Sequence, residues 1–103
     1  MEVQNLDKIR VDEQLATLLK SEVLKFDNKA VVFVFGSRAD KSKKGGDHDF
    51  LLLTTIKLSS QQLREIRMRL FENFGEQKFD LVNYTFEEKA AFKDLIMNEA
   101  VGI

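Results

Sequence analysis

The sequence contains no cysteine and no proline, and it has a single histidine, His48. Without cysteine the chain can form neither a disulfide framework nor a thiolate metal site. One histidine excludes a zinc site built from several histidines and disfavours a Ser-His-Asp triad. Thiol chemistry and histidine-rich metal centres are therefore not expected.

A surplus of positive charge is also missing. Sixteen Lys and Arg residues stand against seventeen Asp and Glu residues, which gives a formal net charge of −1 at pH 7. General nucleic-acid binding needs a basic surplus, at least locally, so we do not expect it. The longest strongly apolar run, residues 30–35, is far too short to cross a bilayer, and the N-terminus does not resemble a signal peptide. We expect a cytoplasmic protein that does not contact membranes.

Apolar residues recur with helical spacing in two parts of the chain. The first stripe lies in residues 11–26. The second lies in residues 63–74 and follows a capping box formed by Ser59 and Gln62. Gly75 comes directly after this stripe, where a helix-ending glycine is commonly found. The sequence therefore predicts two amphipathic helices.

Three short segments rich in β-branched and aromatic residues favour strands, namely residues 30–35, 50–53 and 78–84. The element order is helix, strand, short loop, strand, helix, strand, helix. We see no repeat and no linker, so residues 1–103 are predicted to form one domain. The expected fold is a small α/β (α+β) layer with a mixed sheet of about three main strands packed with helices.

The last helix is predicted from a second capping box, made by Thr85 and Glu88. Three apolar side chains follow at helical spacing, and we expect the helix to bury them: Phe92, Leu95 and Ile96.

Two carboxylates begin the second predicted strand, and a third lies in the next strand. Asp47 and Asp49 are two residues apart, so their side chains project from one face with Cα atoms about 6.5 Å apart. Such a pair suits a hard divalent cation, and Mg²⁺ commonly takes one or two carboxylates together with substrate phosphate oxygens. Asp80 would complete an acidic pocket that holds a second ion or accepts a proton from an attacking hydroxyl.

If these candidate residues share one site, their positions predict the relative directions of the strands. If Ser37, at the end of the first strand, lies beside Asp47 and Asp49, the first two strands are antiparallel. Asp80 and Asp49 both lie early in their strands, so the second and third strands should be parallel, with the intervening helix as the crossover. The register is a sharp expectation, because a slip of one residue turns Asp80 to the opposite face.

The Gly-Ser pair at the end of the first strand predicts an anion site. Gly36 lets backbone approach a ligand closely, and N–H groups at the start of a helical turn attract phosphate. The Ser37 hydroxyl adds a donor. Further cations are supplied nearby by Arg38 and by the loop lysines Lys41, Lys43 and Lys44. An anion cradle beside a carboxylate pair is what nucleotidyl transfer needs, and we take Gly36, Ser37, Arg38 and Lys44 as candidate nucleotide-binding residues.

The combination of motifs resembles a known family. The sequence has Gly-Ser-Arg-Ala at residues 36–39, nine residues between Ser37 and Asp47, and Asp-His-Asp before an apolar strand at residues 47–53. With the later carboxylate Asp80, this pattern resembles the minimal nucleotidyltransferases (MNT) of the DNA polymerase β superfamily. The resemblance runs from the first predicted helix to the last. It implies a polymerase-β-like nucleotidyltransferase core.

The resemblance also implies roles for individual residues. Ser37 would contact the triphosphate, Asp47 and Asp49 would bind Mg²⁺, and Asp80 would be the third acidic residue of the catalytic and metal-binding set. The substrate would be ATP or another nucleoside triphosphate. Many proteins of this kind are encoded beside a HEPN-domain partner, and some act as antitoxins that transfer AMP to it.

Three functions stay open at this point. The first is transfer of a nucleoside monophosphate, AMP from ATP, to an acceptor on a HEPN-type helical partner. The second is a non-catalytic antitoxin or interaction module that neutralises such a partner by binding. The third is the subunit of an enzyme that modifies a small-molecule drug. The acceptor would come from a separate chain or from another copy of this one, so a homo-oligomer also stays open.

Four residues near the motifs affect this interpretation, namely Asp40, Lys41, Gly46 and His48. Gly46 stands where the family often has a serine, and Asp40 with Lys41 stand where it often has a basic residue and a glycine. A carboxylate near the triphosphate opposes binding unless Asp40 points outward or pairs with a lysine. His48 should point away from the two aspartates in a regular strand, so we expect it to pack rather than to catalyse.

Overall fold

Residues 2–103, which a computed structural model describes, contain a mixed four-stranded sheet and three α-helices. The helices are α1 (Glu13–Phe26), α2 (Ser60–Phe74) and α3 (Ala91–Met97). The strands are β1 (Val31–Phe35), β2 (His48–Thr54), β3 (Phe79–Thr85) and β4 (Val101–Gly102). Short 3₁₀ turns occupy Leu6–Lys8 and Gly36–Ala39. In this described part of the chain, no helix is both long and apolar enough to span a membrane.

The strand order in the sheet is β3-β2-β1-β4, and the pairings of these strands confirm the predicted strand directions. β1 pairs antiparallel with β2, and β2 pairs parallel with β3 through the α2 crossover. Asp49 is the register partner of both Phe35 and Asp80. The predicted juxtaposition of Asp49 and Asp80 is therefore confirmed. β4 was not predicted, because two residues antiparallel to β1 are too few to show a strand period.

The two faces of the sheet are covered unequally. Helices α1 and α2 bury the larger core on one face, with α1 contributing Leu19 and Val23 and α2 contributing Ile66 and Leu70. The other face carries a smaller cluster in which α3 contributes only one buried side chain; the cluster consists of Phe35, Leu51, Leu53 and Ile96. Strand β2 is buried on both faces, which explains why its sequence is apolar without alternation.

Both long helices begin at well-defined caps. The Asp12 side chain accepts hydrogen bonds from the backbone N–H groups of Gln14 at 2.8 Å and Leu15 at 3.3 Å. The Ser59 and Gln62 capping box at the start of α2 is confirmed. These caps supply partners for N–H groups that a helix cannot satisfy internally.

The prediction for the last helix is wrong in part. Thr85 and Glu88 do exchange two 3.1 Å hydrogen bonds, but they form a turn at the end of β3, and α3 begins only at Ala91. Ile96 is buried, whereas Phe92 is 49% exposed and Leu95 is 64% exposed. This helix of seven residues buries a single position, and the half-exposed Phe92 ring packs edge-on against Phe35 at a centroid distance of 6.5 Å.

Candidate functional site

The candidate site lies where β2 and β3 begin, on the sheet face that carries α3. Asp49 and Asp80 are register partners in parallel strands, so their side chains leave the same face of the sheet. The two carboxyl groups are close enough for Asp80 to raise the pKa of Asp49. Two adjacent carboxyl groups are stabilised by a proton or a cation between them, because two adjacent negative charges repel.

The raised pKa of Asp49 reflects both its burial and this repulsion. Partial burial raises its pKa, and the neighbouring Asp80 carboxyl group raises it further, as does the charge of Asp47. The ammonium of Lys78 opposes these effects. A carboxyl group in this state gains stability from any added positive charge.

Lys78 provides such a charge, and the sequence did not single it out. Its Nζ lies 3.5 Å from Oδ2 of Asp47 and 4.0 Å from Oδ2 of Asp80. The Lys78 side chain is 65% exposed, so its ammonium lies at the mouth of the site. A signal was present in the sequence, because residues 78 and 80 have the alternation that places side chains on one strand face.

The donor set fits a hard divalent cation in its chemistry but is not arranged as a finished metal centre. In residues 2–103 no group of three or more His, Cys, Asp or Glu side chains is placed to hold a metal ion. Asp49 and Asp80 are neighbours across the two strands, while Lys78 pairs with both Asp47 and Asp80. Carboxylate oxygens are the ligands that Mg²⁺ prefers. Asp49 and Asp80, with Asp47, are the residues that could hold such an ion.

Gly36 brings the end of β1 directly against the carboxylates. It has a φ of +71°, and a Cβ atom at this position would lie 2.5 Å from Oδ2 of Asp49. Both the left-handed backbone and the lack of space require glycine. The Gly36 N–H donates to Oε1 of Glu99 at 3.3 Å. The Gly36 backbone therefore lies directly against Asp49, and its close approach to a ligand stays a prediction.

Ser37 lies in the 3₁₀ turn that follows β1, and its hydroxyl packs against Gly45. A Cβ atom at Gly45, which has a φ of +157°, would be 2.5 Å from Oγ of Ser37. The two ends of the connection between β1 and β2 therefore touch. As a result, the structure brings Gly36, Ser37, Asp49 and Asp80 to one end of the sheet.

Arg38 contacts backbone rather than standing free. Its Nη1 donates to the Arg10 carbonyl oxygen at 2.6 Å, and its Nη2 donates to the Gly46 carbonyl oxygen at 3.0 Å. Burial lowers its pKa, and so does the neighbouring charge of Arg10. The sequence did not indicate this bracing contact. Nucleotide binding by Arg38 stays a prediction.

The tip of the same loop is exposed to solvent. Lys44 is exposed there, and its contact with a nucleotide also stays a prediction. Asp40 is exposed and accepts hydrogen bonds from the N–H of Ser42 at 2.9 Å and from its hydroxyl at 2.7 Å. Asp40 therefore pairs within the loop, with a serine rather than with a lysine.

His48 lies on the opposite sheet face from the carboxylates, as predicted. Its ring is buried between Phe50 and Phe79, with centroid distances of 5.9 and 5.2 Å. Burial and the charges of Arg38 and Arg10 lower its pKa to about 4, so the ring is neutral at pH 7. Its Nδ1 is buried and has no hydrogen-bond partner. These contacts give His48 a packing role.

Comparison with known proteins gives a consistent picture. The family "Polymerase beta, Nucleotidyltransferase" matches residues 13–103. Comparison with curated proteins found no match. Among solved structures, the fold is similar to a chain in the complex of a tri-AMPylated HEPN toxin from Shewanella oneidensis with an MNT antitoxin. The TM-score is 0.60 at 18% sequence identity, over 86% of this chain and 65% of that chain, so this chain spans somewhat less than two thirds of the other's length.

The likeness to the Shewanella oneidensis structure shows the fold, and the family match covers nearly all of the sequence. The match includes the Gly-Ser turn at residues 36–37, Asp47 and Asp49 at the start of β2, and the register partner Asp80. The chain belongs to the polymerase β nucleotidyltransferase family.

Proposed function

We propose that this protein is a Mg²⁺-dependent nucleotidyltransferase that transfers AMP from ATP to an acceptor hydroxyl on a partner protein. The observation that carries the proposal is the pairing of Asp49 and Asp80 on one sheet face, directly beside the Gly36 backbone. It joins a carboxylate pair, which attracts cations, to a turn suited to phosphate. The family membership supports the same chemistry.

In the proposed reaction the acceptor oxygen bonds to the α-phosphorus, and pyrophosphate leaves. Bound to Asp47, Asp49 and Asp80, Mg²⁺ would neutralise charge on the phosphates and orient them. Ser37 would donate its hydroxyl proton to a phosphate oxygen, at a place where Gly36 allows close approach. Asp80, whose side chain is 46% exposed, would take the proton of the acceptor hydroxyl.

The partner we propose is a HEPN-type helical protein. The support is the similar structure, which is described as a tri-AMPylated HEPN toxin in complex with an MNT antitoxin. Transfer of AMP to such a partner would make this chain an antitoxin that acts by covalent modification.

Nucleotide binding tests the first half of the proposal. Calorimetry with ATP and Mg²⁺ should show binding by the wild type, and the Asp47→Asn/Asp49→Asn double variant should bind at least tenfold more weakly because it lacks metal ligands. Asp94→Asn is a matched control, since Asp94 is an exposed carboxylate on α3. Unchanged affinity in the double variant would exclude these residues as the metal site.

A second candidate is a binding module that neutralises its partner without catalysis. The arrangement in which Lys78 is paired with Asp47, and three carboxylates do not converge, favours it. The mass of the partner distinguishes the two. An enzyme adds about 329 Da per AMP, whereas a binding module forms a tight complex without a mass change. Neutralisation that survives loss of Asp47 and Asp49 would also favour the binding module.

A further inference from the structure

Arg10, which precedes α1, contacts both ends of the loop at residues 36–46. Its backbone N–H donates to the Arg38 carbonyl oxygen at 2.8 Å. Its Nη2 reaches the Ser37 carbonyl oxygen at 3.5 Å and the Gly45 carbonyl oxygen at 3.2 Å. The Arg10 guanidinium therefore links the backbone segment that enters the loop to the segment that leaves it.

Arg38 completes the arrangement in the reverse direction. It donates to the Arg10 carbonyl oxygen and to the Gly46 carbonyl oxygen, as described above. Arg10 and Arg38 therefore brace each other as well as both ends of the loop. The loop tip at residues 40–44 lies outside these contacts and is exposed.

The bracing brings two positive charges together in a partly buried place. The Nε atoms of both Arg10 and Arg38 are buried without a hydrogen-bond partner. Among the salt bridges of residues 2–103, neither arginine has a carboxylate partner. Burying unpaired polar atoms and like charges in this way costs stability. The same two side chains hold the backbone next to Ser37 and Asp47 in place.

We propose that Arg10 is a positioning residue that fixes the separation between Ser37 and Asp47 through the backbone of the two loop ends. The assignment of the positioned groups to triphosphate and metal binding rests on the proposed function, whereas the bracing of the loop does not. Both side-chain contacts of Arg10 come from Nη2, whose two N–H groups are held in the plane of the guanidinium, whereas a lysine of the same charge has a flexible stem and freely rotating donors.

The test compares Arg10→Ala and Arg10→Lys with a control, Lys8→Ala, which removes an exposed positive charge from the same N-terminal segment. Hydrogen–deuterium exchange of the amides in residues 37–46 needs no nucleotide. We expect Arg10→Ala to speed exchange there about tenfold, Arg10→Lys to give an intermediate increase, and Lys8→Ala to give none. Exchange in α2 should stay unchanged in all three variants.

Kinetics of AMP transfer give the second readout. A displaced loop should raise the KM for ATP about tenfold in Arg10→Ala, with kcat within about threefold of the wild type, since misplacement weakens triphosphate contacts. A loss of folded protein would instead lower kcat at constant KM.

Two results would overturn the assignment. The first is loop exchange in Arg10→Ala equal to that in Lys8→Ala. The second is an Arg10→Lys variant equal to the wild type in exchange and KM, which would assign the effect to charge alone. If Arg10→Ala does not fold, Arg10→Lys against Lys8→Ala decides. If the wild type binds no ATP, the proposed function fails and loop exchange still decides on the bracing.

Discussion

Asp49 and Asp80 are register partners in the parallel strands β2 and β3, and the Asp80 carboxyl group raises the pKa of Asp49. Two neighbouring carboxylates repel each other when both are ionised, so a nearby positive charge stabilises the pair. In the free protein the exposed Lys78 ammonium, 4.0 Å from Oδ2 of Asp80, offsets part of this repulsion. A divalent cation would offset the repulsion more fully than one ammonium group. The electrostatics of the pair therefore support the proposed metal-dependent chemistry.

The first prediction concerns stability and pH. The raised pKa of Asp49 means that its ionised form is disfavoured in the folded protein, so the stability present below the unfolded pKa of about 3.9 is lost as pH rises through the folded value. Asp49→Asn should therefore raise the Tm at pH 7 by roughly 2–5 °C in chelator, and this advantage should vanish towards pH 4. Asp94→Asn is the control. A lower Tm for Asp49→Asn at pH 7 would contradict the electrostatic interpretation.

A second prediction concerns His48 at mildly acidic pH. Its pKa of about 4 in the folded protein lies below the usual 6.5, so stability falls as pH decreases from about 6.5 to 4, where the unfolded chain gains the proton first. The loss should reach roughly 2–3 kcal/mol. In His48→Phe, urea unfolding at pH 7 and pH 5 should show a clearly smaller difference than in the wild type. Equal differences in the two proteins would mean that His48 is not the responsible group.

Lys78 gives a third prediction. Its ammonium lowers the pKa of Asp49, so Lys78→Ala should raise that pKa further, as measured by ¹³C NMR of the carboxyl carbon. Lys57→Ala is the control, because the Lys57 ammonium pairs with Glu88, 3.1 Å away. An unchanged Asp49 titration in Lys78→Ala would show that the ion pairs with Asp47 and Asp80 do not persist in solution.

The fourth prediction uses two glycines of the same loop. Gly36→Ala places a Cβ atom 2.5 Å from the Asp49 carboxylate on a backbone with a φ of +71°, and it should cost roughly 1–3 kcal/mol of stability and weaken ATP binding. At Gly46 a Cβ atom meets nothing within 4 Å, so Gly46→Ala should leave both properties nearly unchanged. Urea unfolding and calorimetry measure the two effects. Equal behaviour of the two variants would contradict the close approach at Gly36.

Much of the fold could be predicted because the candidate site constrains the strands. Placing Ser37, Asp47 and Asp49 together required antiparallel β1 and β2, and placing Asp80 beside Asp49 required parallel β2 and β3; both are confirmed. The α2 capping box is local, so it too could be read from four consecutive residues.

Long-range contacts of side chains with backbone left no such trace in the sequence. Arg10 reaches Gly45 across 35 positions, and no periodicity reports that hydrogen bond. The exposure of Phe92 and Leu95 was missed for a related reason. Their helical spacing indicates an apolar face, but the area of sheet available to cover that face depends on the tertiary structure.

The role of Asp80 tests the proposed function most directly. The proposed HEPN-type partner is incubated with ATP, Mg²⁺ and either the wild type or Asp80→Asn, and its mass is followed with time. We expect the wild type to add about 329 Da per AMP. Asp80→Asn should be at least 100-fold slower, while its ATP affinity stays within about threefold, because Asp47 and Asp49 still hold the metal of the nucleotide. Transfer at the wild-type rate by Asp80→Asn, or tight binding of the partner by the wild type without any mass change, would contradict this role.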